Sequence, residues 1–255
     1  ASDVYKRQDI AKGVLPLVEI HQGEITDLGN ITVDISSVQV PQKLEITLSI
    51  PGTEYKNSYP LWVYPTDLEL NPASSVRVFT SLNQEAKSAL DNGDKVLLLP
   101  TKEVLPTSIE GAFQTDFWCY AMFNKYNPPG TLGILCDPKH PALAHFPTEF
   151  HSNWQWWRLL KYGRPIDLKT LPIDYRPIVH VIDNVTLNRK LGVLLEAKVG
   201  KGRLLICSMD LQNLQDYPEG RQMYYSLLKY MDSSDFNPEQ VIDITHIESI
   251  VTGAK

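Results

Sequence analysis

Runs of like charge, long apolar stretches and paired cysteines are all missing from this 255-residue chain. Each absence removes a class of function. Charged residues make up 21% and the net charge is -6, so no basic stripe is available to a nucleic acid, and an acidic polymer is no better a partner. No apolar run approaches the roughly 18 residues that a membrane-spanning helix needs. Residues 1–8 lack the apolar core of a secretion signal; they look like a translated adaptor remnant. With no initiator methionine, the sequence is expected to be a piece of a longer chain. The three cysteines, Cys119, Cys136 and Cys207, have neither Cys-x-x-Cys spacing nor an even count and are read as free buried thiols, which leaves the compartment open.

What is present is a globular composition, 43% hydrophobic, enough for one large domain or two ordinary ones. Residues 1–12 are expected to be a disordered or artefactual lead-in. Over 13–70 the pattern is β, with strands at 14–20, 28–35, 43–50 and 59–64 between Gly, Pro, Asn and Asp turns. In the third strand Leu44, Ile46, Leu48 and Ile50 alternate with Lys43, Glu45, Thr47 and Ser49, which predicts one wet and one buried face. This is expected to be an immunoglobulin-like β-sandwich, incomplete against the usual number of about seven strands.

Residues 65–75 read as a linker, after which the period changes. A strand at 76–80, a helix at 82–90 stopped by Asp91-Asn92-Gly93 and a strand at 95–99 make a β-α-β unit with parallel strands. Further strands fall at 131–136, 178–182, 191–198 and 203–208, with a tight turn on Gly200-Lys201-Gly202 and a helix at 218–231. The expected fold for 71–233 is α/β, an open mostly parallel sheet flanked by helices, amidotransferase-like or flavodoxin-like. Residues 234–255 form a C-terminal extension.

The most unusual stretch is 146–157, which holds Trp154, Trp156 and Trp157 beside His151, Ser152 and Asn153. Indole faces stack on sugar rings while short polar side chains bind hydroxyls, so Asn153, Trp154, Trp156 and Trp157 are candidate ligand contacts. The competing reading is a helix capped by Ser152 or Asn153, with Trp154 and Trp157 buried and Trp156 outward as an anchor for another domain. Asp210, just after the strand at 203–208, joins the candidates because ligands of open α/β sheets bind at the carboxyl ends of strands; capping a turn is its alternative. Among carboxylates, Glu149, Asp183 and Glu196 also lie near strand ends. Neither Cys119 nor Cys207 has the flanking glycines of a nucleophile elbow, so no catalytic residue is assigned. His140, His145 and His151 lack zinc-site spacing, so no metal is expected. No phosphate loop or dinucleotide fingerprint is present, and no cofactor is expected.

Residues 28–31, 41–44 and above all Asn57-Ser58-Tyr59-Pro60-Leu61-Trp62-Val63-Tyr64-Pro65 resemble the immunoglobulin-like sandwich that follows the catalytic barrel in family 2 glycoside hydrolases of the β-galactosidase type. Residues 146–157, 177–184 and 190–202 look like the C-terminal region of large exported members of that group, itself similar to class I glutamine-amidotransferase-like domains. The resemblance implies a non-catalytic accessory region of a carbohydrate-degrading enzyme. The parent's barrel would be its partner, with carbohydrate contact and homo-oligomerisation as further expectations. It also implies a periplasmic or secreted bacterial location. A barrel needs about 250 residues of its own, so no catalytic glutamate carries over.

Overall fold

Alternating side chains make β1 (Gln42–Ser49) and β2 (Lys56–Val63) antiparallel partners, in register from Gln42↔Val63 to Ser49↔Lys56. The computed structural model describes residues 9–253 apart from 17, 20, 107 and 114–129. Cys119 and part of the strand expected over 14–20 lie outside the described residues.

After the 65–75 connection come β3 (Val76–Phe79), α1 (Gln84–Asn92), β4 (Lys95–Leu98) and β5 (Gly133–Cys136). They are followed by α2 (Trp157–Lys161), β6 (Ile166–Asp167), β7 (Val179–Ile182), β8 (Leu191–Val199), β9 (Gly202–Cys207), α3 (Pro218–Asp232) and α4 (Ile244–Thr252). Strands β3 to β9 form one seven-stranded sheet in the order β3-β4-β9-β8-β7-β5, with β6 paired to β8.

The β3-α1-β4 unit forms for local reasons. The Asn83 side chain caps α1 by accepting from Ala86 N–H at 2.9 Å. Gly93, at φ 92°, ends it in the left-handed conformation that glycine adopts without strain. Ala86, Ala89 and Leu90 then face the sheet, and β3 lies parallel to β4.

Beyond this unit the expected fold is wrong. Of the strand pairs among the described residues, β3-β4 and β4-β9 alone are parallel; the β9-β8, β8-β7, β7-β5 and β6-β8 pairs are antiparallel. The domain is therefore a mixed, mostly β structure with short helices, not the open mostly parallel sheet of an amidotransferase-like or flavodoxin-like fold. Connection length is the physical reason. β8 turns into β9 over Gly200 and Lys201, with Gly200 at φ 58°, and a parallel pair would need a crossover of about a dozen residues or more. The eight residues between β7 and β8 are also too few.

The immunoglobulin-like sandwich is corrected as well. Among the described residues before Pro65 the only ladder is β1-β2, and 28–35 pairs with nothing in the sheet. Local side-chain bonds compete with a ladder there: Asp27 Oδ1 accepts from Gly29 N–H and Asp34 Oδ1 from Ser36 N–H, each at 2.8 Å. Among the described residues no second layer covers the hairpin, so Ile46, Leu48 and Tyr59 stay exposed on its apolar face.

The seven-stranded sheet separates two cores. Leu97, Leu99, Leu205 and Cys207 face Met223, Leu227 and Met231 of α3 together with Phe146 and Trp156. Val96, Leu98, Leu204 and Ile206 face Ala86, Ala89 and Leu90 of α1 and Ile247, Ile250 and Val251 of α4. Each such buried aliphatic side chain contributes about 1.5–3 kcal/mol relative to exposure. The tail beyond 234 is thus part of the packed domain, because its isoleucines recur at helical spacing over α4.

Close approach at the start of β9 gives a direct test. A Cβ on Gly202 would lie 2.7 Å from Leu90 Cα and 2.9 Å from the Asp94 carbonyl, both backbone atoms. Gly202→Ala is expected to cost about 1–3 kcal/mol, read as a lower urea midpoint at unchanged slope.

Candidate functional site

The 146–157 stretch folds as an aromatic seam between the hairpin and the seven-stranded domain. Asn153 caps a 3-10 turn over Trp154–Trp156, its Oδ1 accepting from Gln155 N–H at 3.3 Å. In a 3-10 turn consecutive residues lie about 120° apart, so neighbouring tryptophans point in different directions. The outcome reverses the expected order. Trp156 is fully buried, Trp154 is 68% exposed, and Trp157 is half-buried.

Trp156 packs edge-on against Phe146, with ring centroids 5.3 Å apart, and its indole N–H donates to Thr148 Oγ1 at 2.8 Å. Phe146 in turn stacks on Tyr64, just after β2, at 6.1 Å and 13° between planes. The Tyr64 hydroxyl donates to Gln155 Oε1 at 2.6 Å, and Gln155 Nε2 donates to the Pro147 carbonyl at 2.9 Å. Burial raises the Tyr64 hydroxyl pKa, and Glu219 adds to this, so the hydroxyl remains a donor. A second tether runs from Lys43 on β1 to Glu149 Oε1, while Asn153 Nδ2 donates to Glu149 Oε2 at 2.5 Å. Burial alone would raise the Glu149 pKa, but the hydrogen bonds from Lys43 and Asn153 outweigh it and hold it below the ordinary glutamate value. Lys43 also sits over the Trp62 ring at 5.6 Å.

The candidate ligand residues are therefore divided. Trp156 is core, and Asn153 is committed to its cap and to Glu149. Trp154 presents an exposed ring, tilted by 34° against Phe113 at 5.6 Å. Trp157 lies under Arg158 and Lys161, at 5.3 and 5.2 Å from its centroid. Asp210 stands apart from all of these, after β9, at φ 53°. Its Oδ1 accepts from Asn213 Nδ2 at 2.9 Å, and its carbonyl from Asn213 N–H at 3.0 Å, so it closes a turn. Burial raises the Asp210 pKa, Asn213 opposes this, and Glu103 adds to it.

Among the described residues, nucleophilic chemistry has no support in the geometry. Burial pushes the Cys207 thiol up to about 12 and the Cys136 thiol up to about 11, so neither supplies thiolate near neutral pH. Ser208 is buried, with its Oγ 3.5 Å from the Val193 carbonyl. Cys207 faces the α3 core, whereas His180, between the core residues Val179 and Val181, points to the opposite side of the sheet. Asp183 is bound by Arg189 Nε at 2.7 Å, Nη2 at 3.0 Å and backbone N–H at 2.8 Å, which closes the β7-β8 turn. Burial works to raise its pKa, but the bonds to Arg189 prevail and lower it.

One cluster was not visible as such in the sequence. Glu196 on β8 accepts from the Tyr230 hydroxyl of α3 at 2.6 Å, and His140 Nε2 lies 4.0 Å from its other oxygen. His140 Nδ1 accepts from Ala142 N–H at 3.2 Å, so its neutral form carries the proton on Nε2, toward Glu196. Burial raises the Glu196 pKa, with the Tyr230 bond opposing and Glu239 adding. Burial lowers the pKa of His140 against the pull of Asp137. Nothing in the spacing of 140, 196 and 230 announces this meeting, which requires three separate elements. No group of three or more His, Cys, Asp or Glu side chains among the described residues could hold a metal ion.

Two outcomes test this description. Tyr64→Phe leaves Gln155 Oε1 without its donor in a buried seam, and is expected to cost about 1–3 kcal/mol in urea unfolding while β1-β2 stays formed. For His140, the unfolded chain takes up a proton near the ordinary value of 6.5 that the folded chain resists. Its contribution to stability is complete above that value and is lost as pH falls below it. His140→Gln should flatten the decline of melting temperature between about pH 6.5 and 5.

No helix among the described residues is long and apolar enough to cross a membrane. No curated protein matches the chain. Two family models do, each described as a domain of unknown function: DUF8488 over residues 3–65 and DUF8487 over residues 77–252. The first ends at the hairpin, and the second takes in the seven-stranded sheet with α1 to α4. Since the second match spans more than half of the sequence, the chain belongs to the DUF8487 family.

Proposed function

We propose that the chain is a non-catalytic accessory region of a glycoside hydrolase, docked against the parent's catalytic barrel through the β1-β2 hairpin. The observation that carries this reading is the hairpin's combination of a fixed root and a bare apolar face. Its root is held by Tyr64-Gln155 and Lys43-Glu149, while Ile46 is 49% and Tyr59 52% exposed on the face above. An isolated two-stranded sheet is marginal in water, and an apolar face of this kind is stable once another layer covers it. The buried Cys207 thiol, the half-buried Cys136 thiol and the closed turn at Asp210 support a role without chemistry. The glycoside hydrolase parent, and with it a periplasmic or secreted location, rests on the resemblance of residues 57–65 and 146–157.

A second reading is favoured by one observation, the exposed ring of Trp154 on Phe113, which offers an apolar platform to a sugar face. The chain alone is expected to leave a panel of aryl glycosides intact; turnover abolished by Glu149→Gln or Glu196→Gln would overturn the accessory reading. Oligosaccharide titration followed by tryptophan fluorescence separates the two, because a saturable quench lost in Trp154→Ala would establish sugar binding.

A further inference from the structure

The sheet surface opposite the α3 core is covered by α1 and α4 over β4 and β9, but at the β7-β5 end no described helix covers it, with Ile182 38% and Leu135 44% exposed. Basic residues gather there. His180 pairs with Gly192 across the β7-β8 ladder, and Lys190, two residues before Gly192, projects to the same side. Lys190 Nζ donates to the carbonyls of Pro172 and Ile173, each at 3.1 Å. Arg176 Nη1 donates to the carbonyls of Ile173 and Tyr175, each at 2.9 Å. The two cations thus meet at the Ile173 carbonyl, with Lys190 on the side of the sheet to which His180 projects.

We propose that Arg176, His180 and Lys190 form a binding site for a single oxyanion group, such as a carboxylate, sulfate or phosphate. The geometry supplies two fixed cations, each retaining N–H donors beyond those used on the loop carbonyls, and an imidazole that becomes a third cation when protonated. The site is locally positive in a chain of net charge -6. The electrostatics agree with this: burial lowers the His180 pKa, and Lys190 and Arg176 lower it further. Burial lowers that of Lys190, with Arg176 adding and the Asp174 carboxylate opposing. An anion here relieves the repulsion among the three and favours protonated His180. Linkage makes the effect reciprocal, so the anion binds the protonated form more tightly.

The test follows the His180 ring resonance by NMR across pH in sodium sulfate, a dianion throughout, and in sodium chloride of equal ionic strength. Sulfate should raise the His180 midpoint by about one pH unit, corresponding to about tenfold tighter binding to the protonated form. Lys190→Gln and Arg176→Gln should each remove most of that difference. Asp174→Asn, which leaves both loop clips in place, should enlarge it and keeps the test decisive if the other variants unfold. Galacturonate and galactose distinguish the source: a shift with galacturonate but not galactose assigns the group to an acidic sugar, and one with sulfate alone to an inorganic or ester oxyanion. Equal midpoints in sulfate and chloride, or a sulfate shift that survives both glutamine substitutions, would overturn the site.

Discussion

The close contact between β9 and its surroundings is the constraint on which the larger domain depends. β9 is parallel to β4 on one edge and antiparallel to β8 on the other, and Leu204, Leu205 and Ile206 are almost completely buried. Both cores are built on its two faces. Its entry is set by Gly202, pressed against the backbone of Leu90 and Asp94, so the end of α1 and the β8-β9 turn must be formed together. α3 covers one side, and α1 with α4 the other.

Above this frame, polar groups are used mainly to fix chain reversals and joints. Asp183 is consumed by Arg189, Asp210 by Asn213, and Glu149 by Lys43 and Asn153. A carboxylate already satisfied by a cation or a cap is stabilised as the anion and has little left for proton transfer. The Glu196-Tyr230-His140 cluster differs, because burial there works against charge on both the acid and the base. It ties β8 to α3 and to the 3-10 turn after His140. The Arg176-His180-Lys190 group sits on the opposite side of the same sheet, near its open end.

The two parts of the chain meet through side chains whose separate patterns gave no hint of a pairing. Tyr64 lies at the end of β2, 91 residues from Gln155, and Lys43 is 106 residues from Glu149. Long-range contacts of this kind leave no period in the sequence. The Trp-rich stretch was legible as an aromatic cluster with an Asn153 cap, but its orientation was not. A helical stripe would have buried Trp154 with Trp157. The 3-10 turn buries Trp156 instead, because Phe146 and Thr148 form a pocket for that ring and its N–H.

Local chemistry by itself determined the β3-α1-β4 unit, the β1 alternation, the glycine turns at Gly93 and Gly200, the α3 helix and the lack of a nucleophile elbow. Each depends on residues within about one turn or one strand of each other, where propensity, capping and period act directly. The tertiary structure decided that β9 pairs with β4 and β7 with β5, that the hairpin's apolar face stays exposed among the described residues, and that the isoleucine-rich tail becomes α4. It also decided which tryptophan is buried. Strand pairing follows from which distant edge is free to accept a ladder, and burial from which distant surface offers a fitting pocket; neither is encoded in the run of residues that forms the element.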